Sequence, residues 1–175
     1  MKVINLLGSA GSGKSTTALG LTYELKKRGH RAEYIPEYAK DLVFSKCEHL
    51  LVQNQLFVFA EQHRRMSVLN NSEIEYLVCD SPLILAMYYG QKYKTSNKYL
   101  DMLIYNEFNS YDNINIFLNR TVRFDSFGRV QTEEESDQDN LNLKAFLTAN
   151  HIIYREYDSN DSLAGYLAHQ ILTTK

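Results

Sequence analysis

The feature that most constrains the fold of this chain is a glycine-rich stretch near its start, Gly8-Ser9-Ala10-Gly11-Ser12-Gly13-Lys14-Ser15. It has the pattern G-x-x-x-x-G-K-[ST], in which glycines let the backbone curl so that successive N–H groups point at phosphate oxygens. An apolar run over 2–7 predicts a buried strand before it, and a helical pattern over 14–28 follows it. Because a strand precedes the motif and a helix follows it, we interpret it as a phosphate-binding loop and not as a turn that binds nothing.

This loop predicts how a nucleotide is held. We expect Lys14 to reach the β- and γ-phosphates of ATP and the Ser15 hydroxyl to bind Mg²⁺. The start of the following helix adds partial positive charge at the same place. The expected ATP-binding residues are Gly8, Ser9, Ala10, Gly11, Ser12, Gly13, Lys14, Ser15 and Thr16.

Two carboxylates follow predicted strands. Glu37 comes just after a short strand over 32–35 that stops at Pro36, and Asp80 ends an apolar strand over 75–80. Ligands of open α/β sheets bind at the carboxyl ends of the strands. Glu37 could therefore accept a proton from an attacking hydroxyl, and Asp80 could hold Mg²⁺ together with Ser15. The alternatives are a first-turn glutamate that complements a helix dipole and an aspartate that caps a helix.

A segment over about 120–137 follows the next predicted strand, 113–118, and carries Arg120, Arg123 and Arg129 around Gly128. Arginines in a glycine-containing loop are typical of a kinase lid, which closes over ATP and brings positive charge to the transferred phosphoryl group. The acidic run 133–137 predicts the start of a helix, and its charges could pair with the lid arginines.

Strands and helices alternate along the whole chain. We therefore predict one domain over 1–175, an α/β three-layer sandwich with a central parallel sheet and helices on both faces. A length of 175 residues with 44% apolar side chains is enough for a core. Two widely separated cysteines, no charged-then-apolar leader and no apolar run of membrane length predict a cytoplasmic protein without a membrane partner.

The net charge of −2 gives no overall attraction to nucleic acid. Local candidates exist all the same: lysines alternate with tyrosines over 91–99, and Arg64-Arg65 lie on a helix predicted over 50–69 with Gln53, Gln55 and Gln62. Glutamine can bond a base edge and arginine a phosphate. The alternatives are a surface loop over 91–99 and the solvent-exposed face of an amphipathic helix over 50–69.

Other phosphate-loop classes fit poorly. A guanine-specific N-K-x-D is missing, because Asn97-Lys98 is followed by Tyr99-Leu100. A second lysine near the start of the loop, typical of partition ATPases, is absent, and the chain is too short for the added helical domain of a ring motor. The order of loop, glutamate, aspartate and arginine segment is that of a kinase.

The chain resembles, nearly end to end, a family of small phage P-loop kinases, most closely the 5-hydroxymethyluracil DNA kinases and more distantly the ribosylnicotinamide kinase domain. The resemblance rests on 6–17, Glu37-Tyr38-Ala39-Lys40-Asp41-Leu42, Asp80-Ser81-Pro82 and Gly128-Arg129-x-Gln131-Thr132-Glu133-Glu134-Glu135-Ser136-Asp137. It implies γ-phosphate transfer from ATP to the 5-hydroxymethyl group of a modified pyrimidine in DNA. By the same resemblance, Glu37 or Asp80 assists the attacking hydroxyl, and Arg123 and Arg129 belong to the lid.

Three functions remain open at this point. The first is the DNA-base kinase, which the basic and aromatic stretch favours. The second is a small-molecule nucleoside, nucleotide or ribosylnicotinamide kinase, which the mildly acidic net charge favours. The third is an ATP-driven switch that has no acceptor and binds a partner protein. The sequence does not specify an oligomeric state.

Overall fold

The computed structural model describes residues 1–70, 73–121, 123–125, 127 and 131–173. Five strands form one parallel sheet in the order β2-β3-β1-β4-β5. The strands are β1 (Lys2–Leu7), β2 (Ala32–Ile35), β3 (Tyr76–Cys79), β4 (Asp112–Asn119) and β5 (Arg155–Asp158). The predicted α/β class with a central parallel sheet is therefore confirmed.

Helices cover both faces of this sheet. They are α1 (Lys14–Lys27), α2 (Tyr38–Phe44), α3 (His49–Gln53), α4 (Gln55–Leu69), α5 (Ile84–Lys92), α6 (Lys98–Asn109), α7 (Glu133–Ala149) and α8 (Leu163–Thr173). Alternation along β1 divides the core, because successive side chains of a strand point to opposite faces. Ile4 and Leu6 pack with α1 and α8, whereas Val3 and Leu7 pack with α4, α5, α6 and α7. The result is the expected sandwich of three layers.

The order of the strands creates a crevice at one edge of the sheet. β1 connects through α1 to β2 on one side, whereas β3 connects back across β1 to β4 on the other side. Ligands of open α/β sheets bind where such connections diverge. The backbone N–H of Asp80 donates to the Ile35 carbonyl at 3.1 Å, which keeps the ends of β2 and β3 side by side.

The structure corrects four local predictions. The helix predicted over 50–69 is two helices, broken at Asn54, whose side chain accepts a hydrogen bond from the Phe57 N–H at 3.1 Å and caps α4. The sequence predicts a last strand over 151–157, but β5 starts at Arg155 and ends at Asp158. The apolar patterns over 14–28 and 162–173 predict that Leu19 and Tyr166 face inward, but both are about half exposed. The buried face of each helix is narrower than its apolar residues suggest.

Candidate active site

The phosphate loop joins β1 to α1 and needs glycine at two positions. Gly8 has a φ of 141°, and a Cβ there would lie 2.6 Å from Ser12 Oγ and 2.7 Å from the Leu118 carbonyl oxygen. Gly13 has a φ of 83° at the position before α1. Both the left-handed conformation and the close approach exclude larger residues, so the sequence motif encodes this backbone curl directly.

Two buried serines from distant parts of the chain support the loop from behind. Ser136 Oγ, on α7, donates to the Ala10 carbonyl at 2.7 Å and lies 3.1 Å from Ser9 Oγ. Ser159, which follows β5, donates from its hydroxyl to the Ser12 carbonyl. These contacts engage carbonyl oxygens on the outer side of the loop and leave its shape fixed before any ligand binds.

The loop lysine lies across its own loop. Lys14 Nζ donates to the carbonyl oxygens of Gly8 at 2.9 Å and Ser9 at 2.8 Å. This places a positive charge at the mouth of the glycine-rich turn, beside the N-terminus of α1. Phosphate oxygens are the ligands that such an arrangement of N–H groups and ammonium favours.

Ser15, Glu37 and Asp80 all face a second lysine. Lys40 Nζ, on the first turn of α2, donates to Ser15 Oγ and lies 3.8 Å from both Glu37 Oε2 and Asp80 Oδ2. The structure therefore brings the two predicted metal ligands, Ser15 and Asp80, together on one side of the loop. Oxygens of a hydroxyl and a carboxylate are ligands that Mg²⁺ prefers.

Asp80 is fully buried, with 0% of its surface exposed. Its Oδ2 accepts a hydrogen bond from the Tyr34 hydroxyl at 3.2 Å, and its Oδ1 has no hydrogen-bond partner among the described residues. Burial and the negative charge of Asp80 raise the pKa of Tyr34 well above its usual value, so Tyr34 stays protonated and keeps donating. An unpaired buried carboxylate oxygen beside Ser15 fits a site that receives a cation.

Glu37 lies in the short connection between β2 and α2, just before the first turn of α2. The buried amide of Gln62 fixes this connection. Gln62 Oε1 accepts from the Tyr38 N–H at 3.0 Å, and Nε2 donates to the Pro36 carbonyl at 3.3 Å. Gln62 was a candidate for contact with a base, but both ends of its amide are bound to main chain around Glu37. It therefore positions the glutamate.

A cavity of about 260 Å³ opens from the phosphate loop between α2, α4 and α5. Lys14, Ser15, Glu37 and Lys40 line its loop end. Away from the loop the cavity is mostly apolar and aromatic and includes the buried Gln55; it is lined there by Val43, Leu51, Gln55, Phe59, Tyr89 and Tyr93 among others. A pocket of this kind, mostly apolar with a few polar groups, is typical of small-molecule sites.

The arginine segment is only partly described. Arg120 pairs with Glu133 and Asp137, as the acidic run suggested, and its guanidinium lies 5.5 Å from the Phe124 ring centre. Arg123 is exposed and makes no hydrogen bond or ion pair with another described residue. Gly128 and Arg129 lie outside the described residues. Lid roles for Arg123 and Arg129 thus stay predictions.

The end of this segment is better defined, because Thr132 and Glu135 form a reciprocal hydrogen-bonded cap that starts α7 at Glu133. The predicted lid range of 120–137 therefore includes the first turn of a helix. α7 also carries Ser136 onto the phosphate loop, so this helix connects the lid base to the nucleotide site.

Most basic residues proposed for nucleic-acid contact are already paired. Lys92 Nζ binds both carboxylate oxygens of the buried Asp139, at 2.6 and 2.7 Å. Arg64 makes two hydrogen bonds of 2.8 Å to Glu61, and Arg65 pairs with Asp41 and Glu61. Their charge is partly cancelled within the molecule, which weakens them as phosphate contacts.

Sequence reasoning missed three residues of this site. Tyr34 carries no motif, and only the pairing of β2 with β3 brings it to Asp80. Lys40 lies within the stretch that carries the family resemblance, but its i, i+3 spacing from Glu37 was the only signal of its place. Ser159 is far from the loop in sequence, so no local pattern could reveal its support of Ser12.

Comparison with solved structures defines the class of this fold. A deoxyadenosine kinase from M. mycoides with bound dCTP is 17% identical with a TM-score of 0.57, and the match covers 98% of both chains. The same enzyme with bound dATP is 16% identical with a TM-score of 0.54, covering 98% of this chain and 99% of that one. A shikimate kinase from Acinetobacter baumannii in complex with shikimate is 18% identical with a TM-score of 0.51, covering 97% and 90%. The chain has the P-loop kinase fold.

A family model described as an AAA domain matches residues 3–161, and the chain belongs to that family. No sequence among the curated proteins matches the chain. Within the described part of the chain, every helix is too short or too polar to span a bilayer.

Proposed function

We propose that this protein is an ATP-dependent kinase that transfers the γ-phosphate to a hydroxyl group of a neutral nucleoside. The observation that carries the proposal is one continuous cavity that starts at the phosphate loop and ends in an apolar, aromatic slot. Phosphoryl transfer needs two substrates held in line with charge stabilisation between them, and one continuous cavity can supply this arrangement.

The loop end of the cavity suits Mg·ATP. The backbone amides and side chains of 8–16 would hold the phosphates, with Lys14 at the β- and γ-phosphates. Ser15 and Asp80 would hold Mg²⁺, which neutralises charge that develops on the transferred group. Arg123 and Arg129 would add positive charge from the lid.

Glu37 would act on the acceptor. It lies at the cavity wall between the phosphate loop and the apolar slot, and Gln62 holds the turn that carries it. A carboxylate placed there can position the attacking hydroxyl and accept its proton. Asp80 is the weaker candidate for this role, because it is fully buried and bonded to Tyr34.

The far end of the cavity favours an uncharged planar ring. Gln55 is buried there, and its Oε1 has no hydrogen-bond partner among the described residues, so a ligand donor such as a base N–H could satisfy it. Phe59, Tyr89 and Tyr93 supply surfaces on which a ring can pack. The cations among the described lining residues are Lys14 and Lys40, both at the loop end, so an acceptor that carries its own phosphate or carboxylate finds no counter-charge.

A modified pyrimidine in DNA is the second candidate, supported by the resemblance to the 5-hydroxymethyluracil DNA kinases. Such a base would have to leave the helix to enter this cavity, and the protein would need free cations to hold the DNA backbone. The ion pairs of Lys92, Arg64 and Arg65 reduce the positive charge that is available to hold a DNA backbone. We therefore rank the free nucleoside first.

An acceptor panel tests this ranking. ATP radiolabelled at the γ-phosphate is incubated with free nucleosides, nucleotides, and single- and double-stranded DNA that contains 5-hydroxymethyluracil. We expect label on a free nucleoside, no transfer by Lys14→Ala, and little dependence on salt. Transfer to the modified DNA alone, at a rate that falls steeply with salt, would show that the acceptor is DNA and not a free nucleoside. Slow release of inorganic phosphate, unchanged by every hydroxyl compound, would favour the ATPase switch.

A further inference from the structure

We propose that Lys40 is a built-in cation that holds the metal site together in the nucleotide-free protein and closes that site to free divalent ions. The metal then enters only with the nucleotide, which displaces the lysine. This inference depends on the Mg²⁺ part of the proposed function and not on the identity of the acceptor.

The placement of the ammonium group carries the inference. Lys40 Nζ donates to Ser15 Oγ on α1 and lies 3.8 Å from Glu37 Oε2 and from Asp80 Oδ2. These oxygens come from three separate parts of the chain: the phosphate loop, the turn after β2 and the end of β3. A single positive charge therefore lies among the oxygens that the metal site would use.

Asp80 explains why a cation is needed there. Its carboxylate is fully buried, its one hydrogen bond is to the neutral Tyr34, and its Oδ1 has no partner among the described residues. A buried carboxylate is costly unless a nearby positive charge compensates it. Lys40 supplies this charge while Lys14 donates to the loop carbonyls of Gly8 and Ser9.

Lys40 is also able to leave. Its side chain is 37% exposed and extends from α2 along the wall of the open cavity, so it can move without unfolding the helix. Ser15 and Asp80 would then be free to hold the Mg²⁺ that arrives with ATP, and the phosphates would attract the released ammonium. The lysine thereby couples metal entry to nucleotide entry.

Binding of Mn²⁺, measured by the loss of the free-ion electron paramagnetic resonance signal, tests this without any catalysis. In the nucleotide-free protein, we expect Lys40→Met to bind Mn²⁺ at least about tenfold more tightly than the wild type, because removing one charge beside two carboxylates strengthens the site. Lys40→Arg, which keeps the charge, should resemble the wild type. Lys27→Met, which removes an exposed lysine paired with Glu24 at 3.7 Å, is the matched control and should also resemble it.

Equal Mn²⁺ affinities of the wild type and Lys40→Met would overturn the role of Lys40. Should Lys40→Met fail to fold, the wild type alone decides: tight Mn²⁺ binding without nucleotide contradicts the proposal, and binding that requires a non-hydrolysable ATP analogue supports it. Failure of the proposed function gives a different result. In that case, the wild type binds no Mn²⁺ even with the analogue present.

Discussion

At the scale of single residues, the proposed chemistry depends most on Glu37. The side chain sits at the cavity wall, and Gln62 holds its turn through two hydrogen bonds to main chain. The binding of ATP should depend on the phosphate loop instead. Chemistry and nucleotide binding are therefore expected to separate when Glu37 is changed.

Glu37→Gln should lower kcat by about a hundredfold or more while the dissociation constant of ATP stays unchanged, because the amide cannot accept the proton of the hydroxyl. Steady-state kinetics and calorimetric titration with ATP measure the two effects. Glu33→Gln, which removes a β2 carboxylate that pairs with Lys26 at 2.8 Å, is the matched control and should retain activity. Full activity in Glu37→Gln would exclude Glu37 as the base.

The two thiols should differ strongly in reactivity. Cys79, which lies in an apolar run of the sequence, is fully buried at the end of β3, and burial raises the pKa of its thiol to about 12. Cys47 is partly exposed. Since the thiolate is the reactive form, we expect a thiol reagent to modify Cys47 in the native protein and Cys79 only after unfolding. Rapid modification of both under native conditions would show that β3 is accessible.

How much a sequence reveals at this scale depends on how local the contact is. The glycines of the loop follow from backbone geometry, and Asp80 follows from its position at a strand end. Lys40 and Tyr34 act through partners on other elements, and their meeting with Asp80 requires β2 and β3 to be paired. The register of that pairing is a property of the folded sheet.

At the scale of elements, buried Asp139 connects α7 to α5. It accepts hydrogen bonds from the Tyr88 hydroxyl at 2.9 Å, from Lys92, and from Gln131 Nε2 at 3.1 Å. Gln131 and Tyr89 line the cavity beside these contacts. One carboxylate therefore links the base of the lid segment to a wall of the proposed acceptor site.

Asp139→Asn should destabilise the fold by about 2 kcal/mol, because Lys92 then loses the charge of its partner while the shape stays the same. It should also raise the KM for the acceptor more than the KM for ATP. Urea unfolding and steady-state kinetics provide the two measurements. Glu134→Gln, an exposed change in the first turn of the same helix, is the control and should alter neither.

The stability that ion pairs within α4 contribute should depend on pH. Hydrogen bonds from Arg64 and Arg65 lower the pKa of Glu61 from 4.5 to about 2. Because this pKa is lower in the folded state, its stabilisation is complete above the unfolded pKa and is lost as pH falls from 4.5 toward 2. Glu61→Gln should cost about 1 kcal/mol near neutral pH and flatten the acid side of the stability curve. An unchanged acid profile, measured by urea unfolding at several pH values, would contradict this.

The boundaries of elements were less predictable than their existence. Asn54 interrupts an apolar pattern that reads as one helix over 50–69, because its side chain caps α4 instead of continuing the turn. Helix periodicity alone does not reveal such a break. By contrast, the acidic run at 133–137 predicted the start of α7, since carboxylates favour a helix N-terminus.

At the scale of the whole molecule, alternation of strands and helices was enough to predict the parallel sheet. The cavity was not predictable, because the space between α2, α3, α4 and α5 depends on how these helices pack against one another, which no local pattern shows. Neither the single-domain boundary of 1–175 nor a cytoplasmic location is tested by these observations, and both stay predictions. The phosphate loop alone indicates nucleotide binding, and the cavity is what supports a proposal about the acceptor.

A crystal structure with Mg²⁺, a non-hydrolysable ATP analogue and the nucleoside that the panel identifies would test the central claim most directly. We expect the triphosphate in the 8–15 loop, the metal between Ser15 and Asp80, and the nucleoside hydroxyl within hydrogen-bond distance of Glu37. A nucleoside bound outside the cavity, or a triphosphate that avoids the loop, would contradict the account.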